Sequence, residues 1–194
     1  MKTTRRRLWQ IFTLVLLIMV TGPFAFGQAA HVRWDIVSIN FAAGTLGPGG
    51  IASAQANDGS IITVSGSGTF VAPANGGPSG AATGGGRWAT SGPVGAASGT
   101  YLVTGLVRWE RAPGSPPPLS DTIGGPGEPS AGLAILRIEY SDGSLGTLTV
   151  SCHLVGTPDS VFEGITTTKG FVDFFRPMPP VPGVDANRTL FHVR

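Results

Sequence analysis

From residue 32 onward, short runs rich in Val, Ile, Thr and aromatic residues alternate with polar positions and stop at Gly, Pro, Asn or Asp. A period of two predicts strands, and no stretch after residue 30 carries the 3.6-residue period of a helix. Residues 32–41 are the first expected strand. Trp34 and Ile36 fall on one face, then Val37, Ile39 and Phe41 on the other, so the phase changes within the run. That implies burial on both faces or a bulge. Residues 51–56 and 60–71 form a pair around Asn57-Asp58-Gly59, a strong hairpin turn. Gly66 and Gly68 interrupt the second of these and mark a bend or a close backbone approach.

Residues 72–86 read as a loop, 87–89 as a short strand, and the next stretch to Gly99 as a glycine-rich connection. Residues 100–111 are a clear strand. Strict alternation puts Tyr101, Val103, Val107 and Trp109 on one face, and Leu102, Thr104, Leu106, Arg108 and Glu110 on the other. Residues 133–140 and 145–155 flank Ser141-Asp142-Gly143-Ser144, a second hairpin turn. Further strands are expected over 161–168, 170–175 and 189–193. The total of nine or ten predicts an antiparallel sandwich or a closed barrel. Residues 113–130 hold six prolines and four glycines. Such a segment neither donates to a ladder nor fills a core, so the expectation is a mobile loop dispensable for folding.

The N-terminal pattern differs. Arg5-Arg6-Arg7 precedes the apolar run Leu14 to Val20, and small residues follow Gly22-Pro23. A cationic segment, a short apolar core and small residues beyond it predict a helical signal peptide over residues 1–30. A single β-domain over 31–194 follows, secreted or periplasmic. This changes the charge picture. Four of the thirteen basic residues lie in the leader, which leaves nine basic against eleven acidic from His31 onward. A charge-poor body with a net of −2 excludes the clustered cations that nucleic-acid binding requires. No membrane association is expected once the leader is cleaved. Cys152 is the only cysteine and alternates with Leu148, Val150 and Leu154, so it reads as a small buried group.

The stretch 134–175, containing SDGSLGTLTVSCHLVGTPDSVFEGITTTKGFVDFF, resembles a family of exported bacterial all-β proteins of uncharacterised activity. The likeness extends through GSGTF at Gly66 to Phe70 and TGLVRWE at Thr104 to Glu110. The glycine-rich strands are also similar to dirigent and allene-oxide-cyclase-like barrels. These resemblances imply a β scaffold, and no catalytic motif is carried over from them.

Candidate chemistry is sparse. Cys152 and His153 are strand neighbours and point to opposite faces, which disfavours a thiol–imidazole pair. His31, His153 and His192 show no metal-ligand spacing, so no metal or other cofactor is expected. Arg108 with Glu110 and Arg137 with Glu139 share strand faces. They read either as a solvated ion-pair surface or as the carboxylates of an acid–base site. Trp88 lies between glycine-rich stretches and is the candidate ligand-binding residue, offering a flat face to a glycan or a small apolar ligand. The expected function is non-catalytic binding of a ligand or a surface. The alternative is a carboxylate-dependent hydrolase or isomerase on a β-barrel scaffold.

Overall fold

The computed structural model describes residues 29–181 and 185–194. All but the last two residues of the expected leader lie outside the described residues. Within them the chain is all β, without helix. The strands are β1 (Ala30–Asn40), β2 (Thr45–Pro48), β3 (Ala52–Gln55), β4 (Ile61–Val64), β5 (Ser67–Ala72), β6 (Ala82–Ser91) and β7 (Ala97–Ala112). They continue as β8 (Ser120–Asp121), β9 (Pro129–Tyr140), β10 (Leu145–Cys152), β11 (Gly164–Lys169), β12 (Val172–Phe174), β13 (Arg176–Pro177) and β14 (Asp185–Val193). The excess over the expected count comes from the division of 60–71 into β4 and β5 and from short pieces, β2, β8 and β13, in segments read as connections.

Six strands close an antiparallel barrel in the order β1, β5, β6, β7, β9, β14 and back to β1. Closure removes the open edges that a sheet of this size would otherwise expose. Three of the six strands are shared. β1 pairs with β5 in its first half and with β2, which carries β8, in its second. β6 pairs with β5 near its start and with β4 near its end. β9 pairs with β14 at Ser130 and with β10 from Gly132 onward. From the forks at β6 and β9 run two flaps, β4-β3-β13 and β10-β11-β12, and β11 packs against β3.

The fork at β6 explains why the run expected over 60–71 is two strands. The chain breaks at Ser65-Gly66, where the Tyr101 hydroxyl donates to the Ser65 carbonyl at 3.0 Å. A side chain at Gly66 would collide with that hydroxyl and with the Gly85 carbonyl.

Two bulges reset the phase of β7. Its register against β9 shifts between Val103 and Gly105 and again between Leu106 and Arg108. Leu106, expected among the polar positions, is therefore buried, and Val107 is only half-buried. In β1 both faces are buried around Asp35, Ile36 and Val37, and the register against β14 slips between Val37 and Ser38.

The segment 113–130 differs from its expectation. It is a strap lying across the outer face of β1 and β14. Thr122 Oγ1 donates to the Leu46 carbonyl at 3.0 Å, and Thr157 Oγ1 donates to the Pro113 carbonyl at 2.8 Å. Asp121 pairs with the fully buried His192 at 2.7 Å, and Glu128 pairs with Arg194 at 2.8 Å. Gly124 rides directly over the His192 imidazole, where any side chain would collide with the ring. The outer face of β1 supplies the reason for this cover. Arg33 and the fully buried Asp35 form a two-point ion pair there at 2.8 Å.

Candidate binding site

Two aromatic nests fill the interior at opposite ends of β7. Trp109 packs against Phe191 at 4.6 Å and Phe70 at 5.4 Å between ring centres. Trp88 meets Tyr140 edge to face at 5.6 Å, and Tyr140 lies 6.3 Å from Tyr101. Trp88 is on β6, inside the fold and almost fully buried. Gly99 on β7 stands opposite it in the ladder, and its missing side chain leaves room for the indole. The indole N–H donates to the Thr100 carbonyl at 3.1 Å. The Tyr140 hydroxyl sits against Thr167 Oγ1 at 2.9 Å and donates to the Thr168 carbonyl at 3.0 Å. Burial pushes the Tyr140 phenol up to about 12 and the Tyr101 phenol higher still.

Lys169 closes this nest. Its Nζ lies 4.4 Å from the Trp88 ring centre and 5.1 Å from that of Tyr140, a cation–π arrangement over two rings. The ammonium pairs with Asp142 and donates to Ser144 Oγ at 2.9 Å. The hairpin turn legible in the sequence positions both partners, because Asp142 Oδ1 accepts the Ser144 N–H at 3.0 Å and the Ser144 hydroxyl at 2.7 Å. The Lys169 and Ser144 donors hold the Asp142 carboxyl down at about 2.

Beside the Trp88 edge, a cup of about 240 Å³ opens between Trp88, Thr90, Val94, Lys169, Phe171 and Phe174. Phe171 follows Gly170 in the β11–β12 turn, and its ring is fully exposed to solvent at the rim. Further hollows lie elsewhere on the described residues. A shallow groove of about 400 Å³ crosses the outer face of β4, β6 and β7, where small side chains surround Arg87. A cleft of about 290 Å³ lies under the strap against Leu46 and Leu190, with Asp121 in its wall. Trp88 also borders the groove beside Arg87, but the cup differs from both in a cation fixed over aromatic rings by an ion pair and a hydroxyl.

The four charged candidates lie elsewhere. Arg108 and Glu110 form an exposed pair at 2.8 Å on the outer face of β7. Glu139 stands opposite Leu102 on β7, eight residues from Glu110 along the strand. The two bulges shorten this to six residues along β9, about 20 Å at strand rise, whereas paired carboxylates acting on one glycosidic bond sit about 5–9.5 Å apart. Arg137 is likewise exposed, opposite Gly105. None of the four lines any of the three hollows.

The remaining sequence candidates also separate. Cys152 is fully buried, and burial with nearby Glu163 pushes its thiol well up. His153 turns away, its Nδ1 lying 2.7 Å from the Val161 carbonyl. Among the described residues no group of three His, Cys, Asp or Glu has metal-binding geometry.

Sequence reasoning passed over Lys169, Asp142, Tyr140 and Phe171. Two signals pointed to them. Lys169 is the only lysine after Lys2, and it immediately precedes a Gly-Phe turn at the end of an expected strand. No protein-family profile, curated protein or solved structure matches this chain.

Proposed function

We propose that the chain is an exported, non-catalytic binding domain that takes a small apolar ligand in the cup beside Trp88. One observation carries the reading: an aromatic-walled cup whose rim displays Phe171, a large apolar ring left entirely in water. An exposed aromatic beside a concave apolar wall is the usual composition of a small-ligand site. A barrel packed with interlocked side chains provides the rigid frame from which such a rim is presented. Export is the expectation set by the Arg5-Arg6-Arg7 leader, and it places the cup outside the cytoplasm.

The test is a screen of small apolar compounds and cell-envelope glycans against the domain from residue 29 onward. Binding is read by chemical-shift changes at the Trp88 indole N–H and by thermal shift. Because Trp88 is buried, its removal also disturbs folding, so the diagnostic variant is Phe171→Ser. That exposed ring contributes little to the fold, and its loss is expected to weaken binding several-fold at unchanged melting temperature. A ligand unaffected by Phe171→Ser, or one that shifts only strap residues, would move the site away from the cup. Turnover of a screened compound, lost in Glu110→Gln or Glu139→Gln, would overturn the non-catalytic reading.

A further inference from the structure

The cup has a polarity that narrows its ligand. We propose that it selects small, flat apolar molecules carrying a carboxylate or phenolate, with the ring against Trp88, Phe171 and Phe174 and the anionic oxygen on Lys169 Nζ. This rests on the cup being the binding site.

The argument starts from the donors of the ammonium. Lys169 has three N–H groups. Asp142 and Ser144 take two of them, both from the turn side. The third has no oxygen partner and faces the rings and the cup wall. Lys169 is the only ionisable residue lining the cup, since Asp142 lies outside its wall. Its side chain is only 15% exposed. The walls otherwise consist of aromatic and aliphatic groups with Thr90 and Ser144. A cation anchored in poorly hydrated surroundings favours an anionic acceptor over a neutral one and rejects a second cation. The Asp142 carboxylate offsets part of this charge, and the preference rests on the third N–H, which Asp142 and Ser144 leave without an acceptor. The turn and the two rings also fix the ammonium in position, so a ligand does not have to order a flexible lysine.

The experiment compares 1-naphthoate, 1-naphthamide and 1-naphthylmethylammonium by calorimetry and by the Trp88 indole N–H resonance. The carboxylate is expected to bind at least about tenfold more tightly than the amide, the scale of one charge-assisted hydrogen bond. The ammonium compound should bind weakest. Asp142→Asn should raise the affinity for the carboxylate, since it removes the competing anion. Lys169→Met should abolish the preference and leave amide binding in place. Lys169→Gln, which keeps a donor but no charge, is the control should the Met variant fold poorly. Equal binding of all three probes, or a carboxylate preference that survives loss of the lysine, overturns the proposal and leaves the cup itself standing. Failure of every probe to perturb Trp88 removes both.

Discussion

The two aromatic nests use the same kinds of residue but close in opposite ways. Around Trp109, Phe70 and Phe191 supply carbon alone, and the barrel walls close over them. Around Trp88, every partner carries a polar handle. The indole N–H, the Tyr140 and Tyr101 hydroxyls and the Lys169 ammonium each reach a backbone or side-chain oxygen. Both indoles are almost fully buried, but at this end each polar ring atom has a partner and the nest borders the Lys169 ammonium and the cup. The difference follows from topology. At the first end β14 pairs with β1 and β9 to complete the ring, and at the second the turn between β11 and β12 brings in Lys169 and Phe171.

The strongest test of this contrast is Trp109→Ala. Removing this almost fully buried indole should cost about 4 kcal/mol, measured by urea denaturation. A loss below about 1 kcal/mol would mean that the first nest is not sealed.

Next in size is the seam between ring and flap. Glu163 lies just before β11 and accepts the His153 N–H at 2.6 Å and the Thr189 N–H at 2.7 Å, linking β10 to β14. Burial pushes its carboxyl up to about 7, against these two donors and nearby Arg188 and His153. A folded-state value above the unfolded one favours the protonated form in the fold. The associated stability is then fully present below about pH 4.5 and is lost as pH rises through about 7. The expected loss is about 3 kcal/mol across that window. Glu163→Gln should flatten the profile. A melting temperature rising from pH 5 to 8 in the unaltered chain, and unchanged in the variant, would refute the assignment.

Much of the architecture was legible because closed barrels advertise alternation and turns. The Asp58-Gly59 and Asp142-Gly143 hairpins and the strand β10 with Leu148, Val150 and Cys152 inward are local features, written into neighbouring residues. The forks and bulges were not legible. Within residues 102–110 only Gly105 signals the first of the two places where β7 takes an extra residue, and nothing marks the second, so strict alternation misplaces Leu106. The strap was misread for a related reason. Proline and glycine content limits ladder hydrogen bonds, but the segment still makes them at Ser115, Ser120 and Thr122 and adds side-chain anchors such as Asp121 and Thr122. The cup was half legible. Trp88 stood out by its composition, while its cover, Lys169, is 81 residues away and is brought in by pairing of non-neighbouring strands.

The strap gives an intermediate test, because it closes the outer surface near the sealed nest and leaves the cup free. Asp121→Ala should cost about 2 kcal/mol, since it strands the buried His192 imidazole without a partner. Hydrogen exchange should rise across 113–130, with Trp88 resonances unmoved. Faster exchange around Trp88 as well would show that the two ends are coupled.

The smallest expected effect concerns the outer wall between the nests. Arg108 and Glu110 are paired, with side chains 60% and 55% exposed. Water screens the attraction, and two long side chains lose freedom to maintain it. A double-mutant cycle with Arg108→Ala and Glu110→Ala should give a coupling below about 0.5 kcal/mol, falling further in salt. Neither variant should alter ligand binding in the cup, whose wall neither residue joins. The contrast is sharp because Lys169 and Asp142 are also an ion pair, yet their lysine is largely sheltered and lies over two rings. If binding followed Arg108 or Glu110 rather than Lys169, the working surface would be the outer face of β7, and the open nest would be structural.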